Sequence, residues 1–187
     1  MMTRMKKIVK AAVVCVFVLL AAGGCANPER EGTKALENGQ YEEALEQFQK
    51  ASESEDKEKA AEGFRGQGIA YYEMEDYTSA LDAFQKAVDN GAEQTVQLYN
   101  LMGICGMRTG DYEGALESFQ AGLALIDAAS DEEAADGDMI REMKYNEIIC
   151  YEQLADWENA RQKAEEYLSE YPDDEAVQRE MDFLKTR

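Results

Sequence analysis

"YTSALDAFQKA", residues 77–87, decides the fold of this chain because it recurs. The same frame appears as "YEEALEQFQKA" at 41–51 and "YEGALESFQAG" at 112–122. Each copy reads aromatic-x-x-Ala-Leu-x-x-Phe-Gln. A fourth stretch, "WENARQKAEEY" at 157–167, keeps the aromatic and the alanine. Successive copies begin 36, 35 and 45 residues apart. Self-similarity at such a period marks a repeat architecture. Within each copy the apolar positions fall three and four apart, as on one face of a helix.

Turn residues precede each copy: Gly39-Gln40, Glu75-Asp76, Gly110-Asp111 and Ala155-Asp156. Before the last three turns lie further helical segments, at 61–74, 95–108 and 139–154. The unit is therefore helix, tight turn, helix. Ala44, Ala80, Ala115 and Ala160 are small where the two helices cross closely. Phe48, Phe84 and Phe119 lie one turn further on the same face. No single pair can bury that face alone, so the copies must stack.

This pattern resembles the tetratricopeptide repeat (TPR), whose unit has 34 residues. The leading helix of that family carries an aromatic or leucine, then a glycine, then a tyrosine. Phe64, Gly68 and Tyr71 match in the second copy, Tyr99, Met102 and Gly103 in the third, and Tyr151 in the fourth. Pro172 stands where that family often ends a repeat. The resemblance spans roughly residues 28–174. It implies an all-α, right-handed solenoid of about four TPR-like helix pairs with a concave side. The first leading helix is short, beginning near Pro28. In the fourth copy Ile148 replaces the glycine and Ala164 the phenylalanine, a volume-conserving exchange if the two share a packing layer. After Pro172, Val177, Met181 and Leu184 recur at helical spacing. They predict a C-terminal capping helix with a polar outer face.

The chain of 187 residues has no histidine, which removes the commonest general base and metal ligand. Residues 1–24 hold four of the 19 basic side chains and none of the 39 acidic ones, leaving a net charge of −24 beyond them. Such a surface repels phosphate backbones, so nucleic acid is not an expected partner. No acid pair stands out by pattern, so no enzyme, cofactor or metal is expected. The segment 128–138, "AASDEEAADGD", accounts for the long third spacing and reads as a solvated acidic insert. An EF-hand register centred on Gly137 would put Ala134 and Met143 at ligand positions, so calcium is not expected.

The amino-terminal segment has a basic head, a run of twelve apolar residues at 11–22, and then Gly23 and Gly24. The run is too short to span a bilayer, which takes roughly 20 residues, and it fits a secretory signal peptide. Ala22-Gly23-Gly24-Cys25 resembles the lipobox of bacterial lipoproteins, although that family more often has leucine in place of Ala22. The resemblance implies that 1–24 is removed and that Cys25 carries the lipid anchor outside the cytoplasmic membrane. Residues 25–31 then form a short tether, and 32–187 the solenoid. Cys105 and Cys150 occupy the same position in successive copies. Equivalent points on packed helices lie about 8–10 Å apart, beyond the ~7 Å a disulfide tolerates. Two free, buried thiols are expected.

The leading helices of such solenoids line the concave face. Ile69, Ile104 and Ile149 recur there, with Arg65, Tyr72, Asn100, Met107, Arg108, Tyr145 and Glu152 at helical spacing from them. The row could receive an amphipathic helix or an extended peptide. The plainer alternative is that these side chains only pack helix to helix. Some members of the family clamp a carboxy terminus with asparagines, but Ile69 and Leu101 fall where those would be. The expectation is a lipid-anchored scaffold for protein or peptide partners near the membrane, or alternatively a module for a small molecule or cell-wall glycan.

Overall fold

A computed structural model describes residues 27–128 and 137–187. The expected signal peptide, Cys25 and residues 129–136 of the acidic insert lie outside them. The described residues form nine helices and no strand: α1 (Pro28–Glu37), α2 (Tyr41–Ser52), α3 (Lys57–Glu73), α4 (Tyr77–Asp89), α5 (Val96–Thr109), α6 (Tyr112–Ala128), α7 (Gly137–Gln153), α8 (Trp157–Glu170) and α9 (Glu175–Leu184). None of them is long and apolar enough to cross a membrane. Each helix packs on the next, while α1 also touches α3 and α5 touches α7. The leading helices thus form one layer of the solenoid and the trailing helices the other.

The helix ends follow from short-range chemistry. Asn27 accepts from the amide of Glu29 at 3.0 Å, and Pro28 opens α1 with its fixed φ. Pro28 to Glu31, expected in the tether, are therefore already helix. At the four turns within repeats, Gly39, Glu75, Gly110 and Ala155 have φ of 72°, 60°, 84° and 56°. The following amide returns to the carbonyl five residues back in every case, as in Asp76 to Tyr71 and Asp156 to Tyr151, both at 2.9 Å. Asp76, Asp111 and Asp156 then cap the trailing helices through the amides of Ser79, Gly114 and Asn159.

The core is a column of ring-on-glycine contacts. A Cβ on Gly68 would lie 2.4 Å from the Phe84 ring, and one on Gly103 would lie 2.5 Å from Phe119. Phe48 meets both Gly32 of its own repeat and Gly66 of the next. Phe84 and Phe119 are fully buried, and removing each ring from water contributes roughly 2–3 kcal/mol. In the fourth repeat, Ile148 and Ala164 are both fully buried and share one cluster with Ala160 and Tyr167. This placement is consistent with the expected exchange of volume between them.

Helix α9 closes the stack by burying Val177, Met181 and Leu184 against that cluster. A polar network holds it in place. Arg141 reaches Asp174 at 2.6 Å and Tyr167 at 2.8 Å, and the Tyr167 hydroxyl donates to Asp174 at 2.8 Å. The outer face of α9 is less polar than expected. Phe183 is 39% exposed and packs edge-on against Trp157, with the Arg187 guanidinium 4.6 Å from its ring centre. Cys105 and Cys150 are free and fully buried in separate clusters, and burial pushes both thiols up to about 12.

Candidate functional site

The ten side chains singled out on the leading helices lie on α3, α5 and α7, and the structure gives them different surroundings. Arg65 is paired with Glu62, one turn back on α3. Together with Ile69 it lines a groove of about 440 Å³ whose other wall is α1, through Glu29, Thr33 and Leu36. Tyr72 meets Tyr77 edge to face, with ring centres 5.8 Å apart, and the Arg108 guanidinium lies 5.8 Å from the centre of the same Tyr77 ring. Burial, and next the neighbouring Cys105, push the Tyr72 hydroxyl above its usual range.

On α5, Asn100 is only 9% exposed, and its Oδ1 has no hydrogen-bond partner among the described residues. Ile104 and Met107 are half-buried and pack on the cluster of Phe119, Met143 and Cys150. For these two the plainer expectation, helix-to-helix packing, describes part of what they do. Each still keeps part of its surface in solvent.

On α7, Tyr145 lines a second groove, of about 360 Å³, with Arg141, Glu142, Tyr167 and Ala176. Ile149 is half-buried. Glu152 keeps its Oε1 buried without a partner. Burial, then the carboxyl of Glu180 on α9, push Glu152 up to about 7. Among the described residues, no group of three carboxylates or thiols is placed to hold a metal.

The sequence did not point to three contributors. Helix α1 forms a wall of the first groove through Leu36 and Glu29. Glu180 belongs to α9, where the apolar spacing marked only the buried stripe. Glu147 is 2% exposed at the base of a third groove, of about 280 Å³, between α6, α7 and α8. Its carboxylate lies 3.5 Å from Lys163, and burial still raises it above the usual range. Lys144 and Glu170 close one side of that groove at 2.5 Å. A buried charge in a helix interior has no periodic signature, so only the packed structure shows it.

The tetratricopeptide repeat profile matches residues 30–95, 65–138 and 145–174. The chain belongs to the tetratricopeptide repeat family. Its fold is similar to that of MamA from Desulfovibrio magneticus RS-1, with a TM-score of 0.66 and 18% identity over 86% of this chain and 82% of that one. It is also similar to YrrB, described as a TPR protein with an unusual peptide-binding site. That match has a TM-score of 0.65 and 20% identity, covering 80% of this chain and 70% of YrrB. Another MamA structure matches with a TM-score of 0.64 at 15% identity. No curated relative matches the sequence. At these identities the neighbours establish the TPR fold, which suits a protein-interaction scaffold.

Proposed function

We propose that this TPR protein is a non-enzymatic scaffold, lipid-anchored through Cys25 outside the cytoplasmic membrane, which recruits or assembles envelope proteins. The observation that carries the scaffold reading is the partly exposed apolar row Ile69, Ile104 and Ile149 on successive leading helices, with a buried, unpartnered acceptor on Asn100 beside it. The grooves along these helices are open, as suits a peptide or helix rather than an enclosed small molecule. The peptide-binding site named for YrrB supports the same class of partner. The anchor is supported by the lipobox-like Ala22-Gly23-Gly24-Cys25. Pro28 already begins α1, so at most about 11 Å of extended chain would separate lipid from fold. The partner would then lie at or beside the membrane surface.

The test is photo-crosslinking in intact membranes, comparing wild type with Ile104→Glu and Ile69→Glu, with helicity checked by circular dichroism. Folded variants should lose the crosslinked partner. Unchanged capture by both would refute the groove. In a separate arm, Cys25→Ser should shift the protein from the membrane to the soluble fraction, and retention there would refute the anchor.

A further inference from the structure

The proposed groove ends on two carboxyl groups that no cation among the described residues answers. Glu152 lies three residues beyond Ile149 and seven beyond Tyr145, so it continues the row along one face of α7. It faces Glu180 on α9, with Tyr145 alongside, whose hydroxyl is raised by burial and by both carboxyls. Most cations of α7, α8 and α9 are committed elsewhere. Arg141 holds Asp174 at 2.6 Å, Lys144 holds Glu170 at 2.5 Å, and Lys163 lies 3.5 Å from both Glu147 and Glu166. Arg179 and Lys185 pair along α9 with Glu175 and Asp182.

Two adjoining carboxyls cannot both ionise cheaply, and a buried oxygen with no donor carries a free-energy cost. Within the described residues the pair is relieved only by keeping a proton. An incoming ammonium or guanidinium would relieve it better, because it attracts both carboxylates at once. A second, independent feature also points to a bound segment. Asn100 is nine-tenths buried, with an acceptor that nothing among the described residues fills, and it lies one turn before Ile104. A rotation of this side chain toward the row would bring the oxygen within reach of a peptide N–H lying there. The net charge of −24 beyond residue 24 draws the same kind of partner by long-range attraction.

We infer that the segment received by this groove is a cationic, amphipathic stretch of a partner protein. Its apolar side chains meet Ile69, Ile104 and Ile149, and one lysine or arginine enters between Glu152 and Glu180. This rests on the groove being the binding face. Because the cation favours the ionised pair, binding expels the shared proton, so affinity rises with pH through about 7.

The probe is a library of short random peptides, selected on the full chain in detergent micelles at neutral pH. Wild type should select apolar peptides enriched in lysine or arginine. Glu152→Gln and Glu180→Gln keep the shape and remove the charge. Each should bind the selected peptides about tenfold more weakly or worse, with a flattened pH dependence. Ile104→Glu should abolish selection. Peptides that need Ile104 but show no basic enrichment would overturn the cation site and leave the groove standing. Basic peptides that bind the Ile104→Glu variant equally well, or no selection at all, would overturn both.

Discussion

Glu75 and Ala155 stand where a glycine belongs. Both adopt left-handed backbone, with φ of 60° and 56°, at turns where the other two repeats carry Gly39 and Gly110. The conformation costs a residue with a Cβ about 1 kcal/mol. Glu75→Gly and Ala155→Gly should each therefore raise unfolding stability by about 0.5–1 kcal/mol, measured by urea titration of ellipticity. A loss of stability at either site would show that the side chain makes a contact worth more than the strain. The turns themselves were legible in the sequence, because Asp76, Asp111 and Asp156 repeat at the cap. The strain was legible only in outline: Glu75 and Ala155 align with Gly39 and Gly110, but the left-handed φ that makes the mismatch costly appears only in the folded turns. The same limit applies to the site. Ile69, Ile104 and Ile149 were visible as equivalent positions, whereas Glu180 became a neighbour of Glu152 only when α9 folded back onto the stack.

Among elements, the fourth helix pair solves the packing problem of the others in reverse. Elsewhere a glycine on the leading helix receives a phenylalanine from the trailing one. Here a large Ile148 on the leading helix and a small Ala164 on the trailing one lie buried in one cluster. Ile148→Gly alone should cost about 3–5 kcal/mol through its cavity and lost helix propensity. Ala164→Phe alone should cost about 1–3 kcal/mol through overpacking. Together they restore the arrangement of Gly103 with Phe119. A double-mutant cycle should then show at least about 1 kcal/mol of favourable coupling; strict additivity would mean that the two sites do not share a layer. The capping helix has its own lever. Arg141, then Tyr167, hold the Asp174 carboxyl down to about 2. A carboxylate with a depressed folded pKa stabilises the fold above its unfolded value and loses that contribution as pH falls through the folded one. Melting curves should therefore decline between about pH 4 and pH 2, and Asp174→Asn should remove part of that decline.

At the scale of the whole molecule, the number of repeats, their order and the closing helix follow from periodicity, because in a stacked array each unit needs only its neighbours. The net charge follows from composition, but its distribution does not. Three cations of the last repeat, Arg141, Lys144 and Lys163, are spent on ties that position α7, α8 and α9. This leaves the carboxyls at the end of the leading-helix row unanswered.

The Phe48 ring, held between Gly32 and Gly66, has one further consequence. It rivets the first repeat to the second, and α2 and α3 meet over a broad seam, whereas α4 and α5 meet over a narrower one. The solenoid is therefore mechanically uneven along its length. Its amino-terminal half behaves as a stiff block, and bending concentrates at the narrower seams beyond it, α4 with α5 and α6 with α7. A tug from the amino-terminal end would change the curvature there, altering the distance between Ile69 and Ile104 before any helix unwinds.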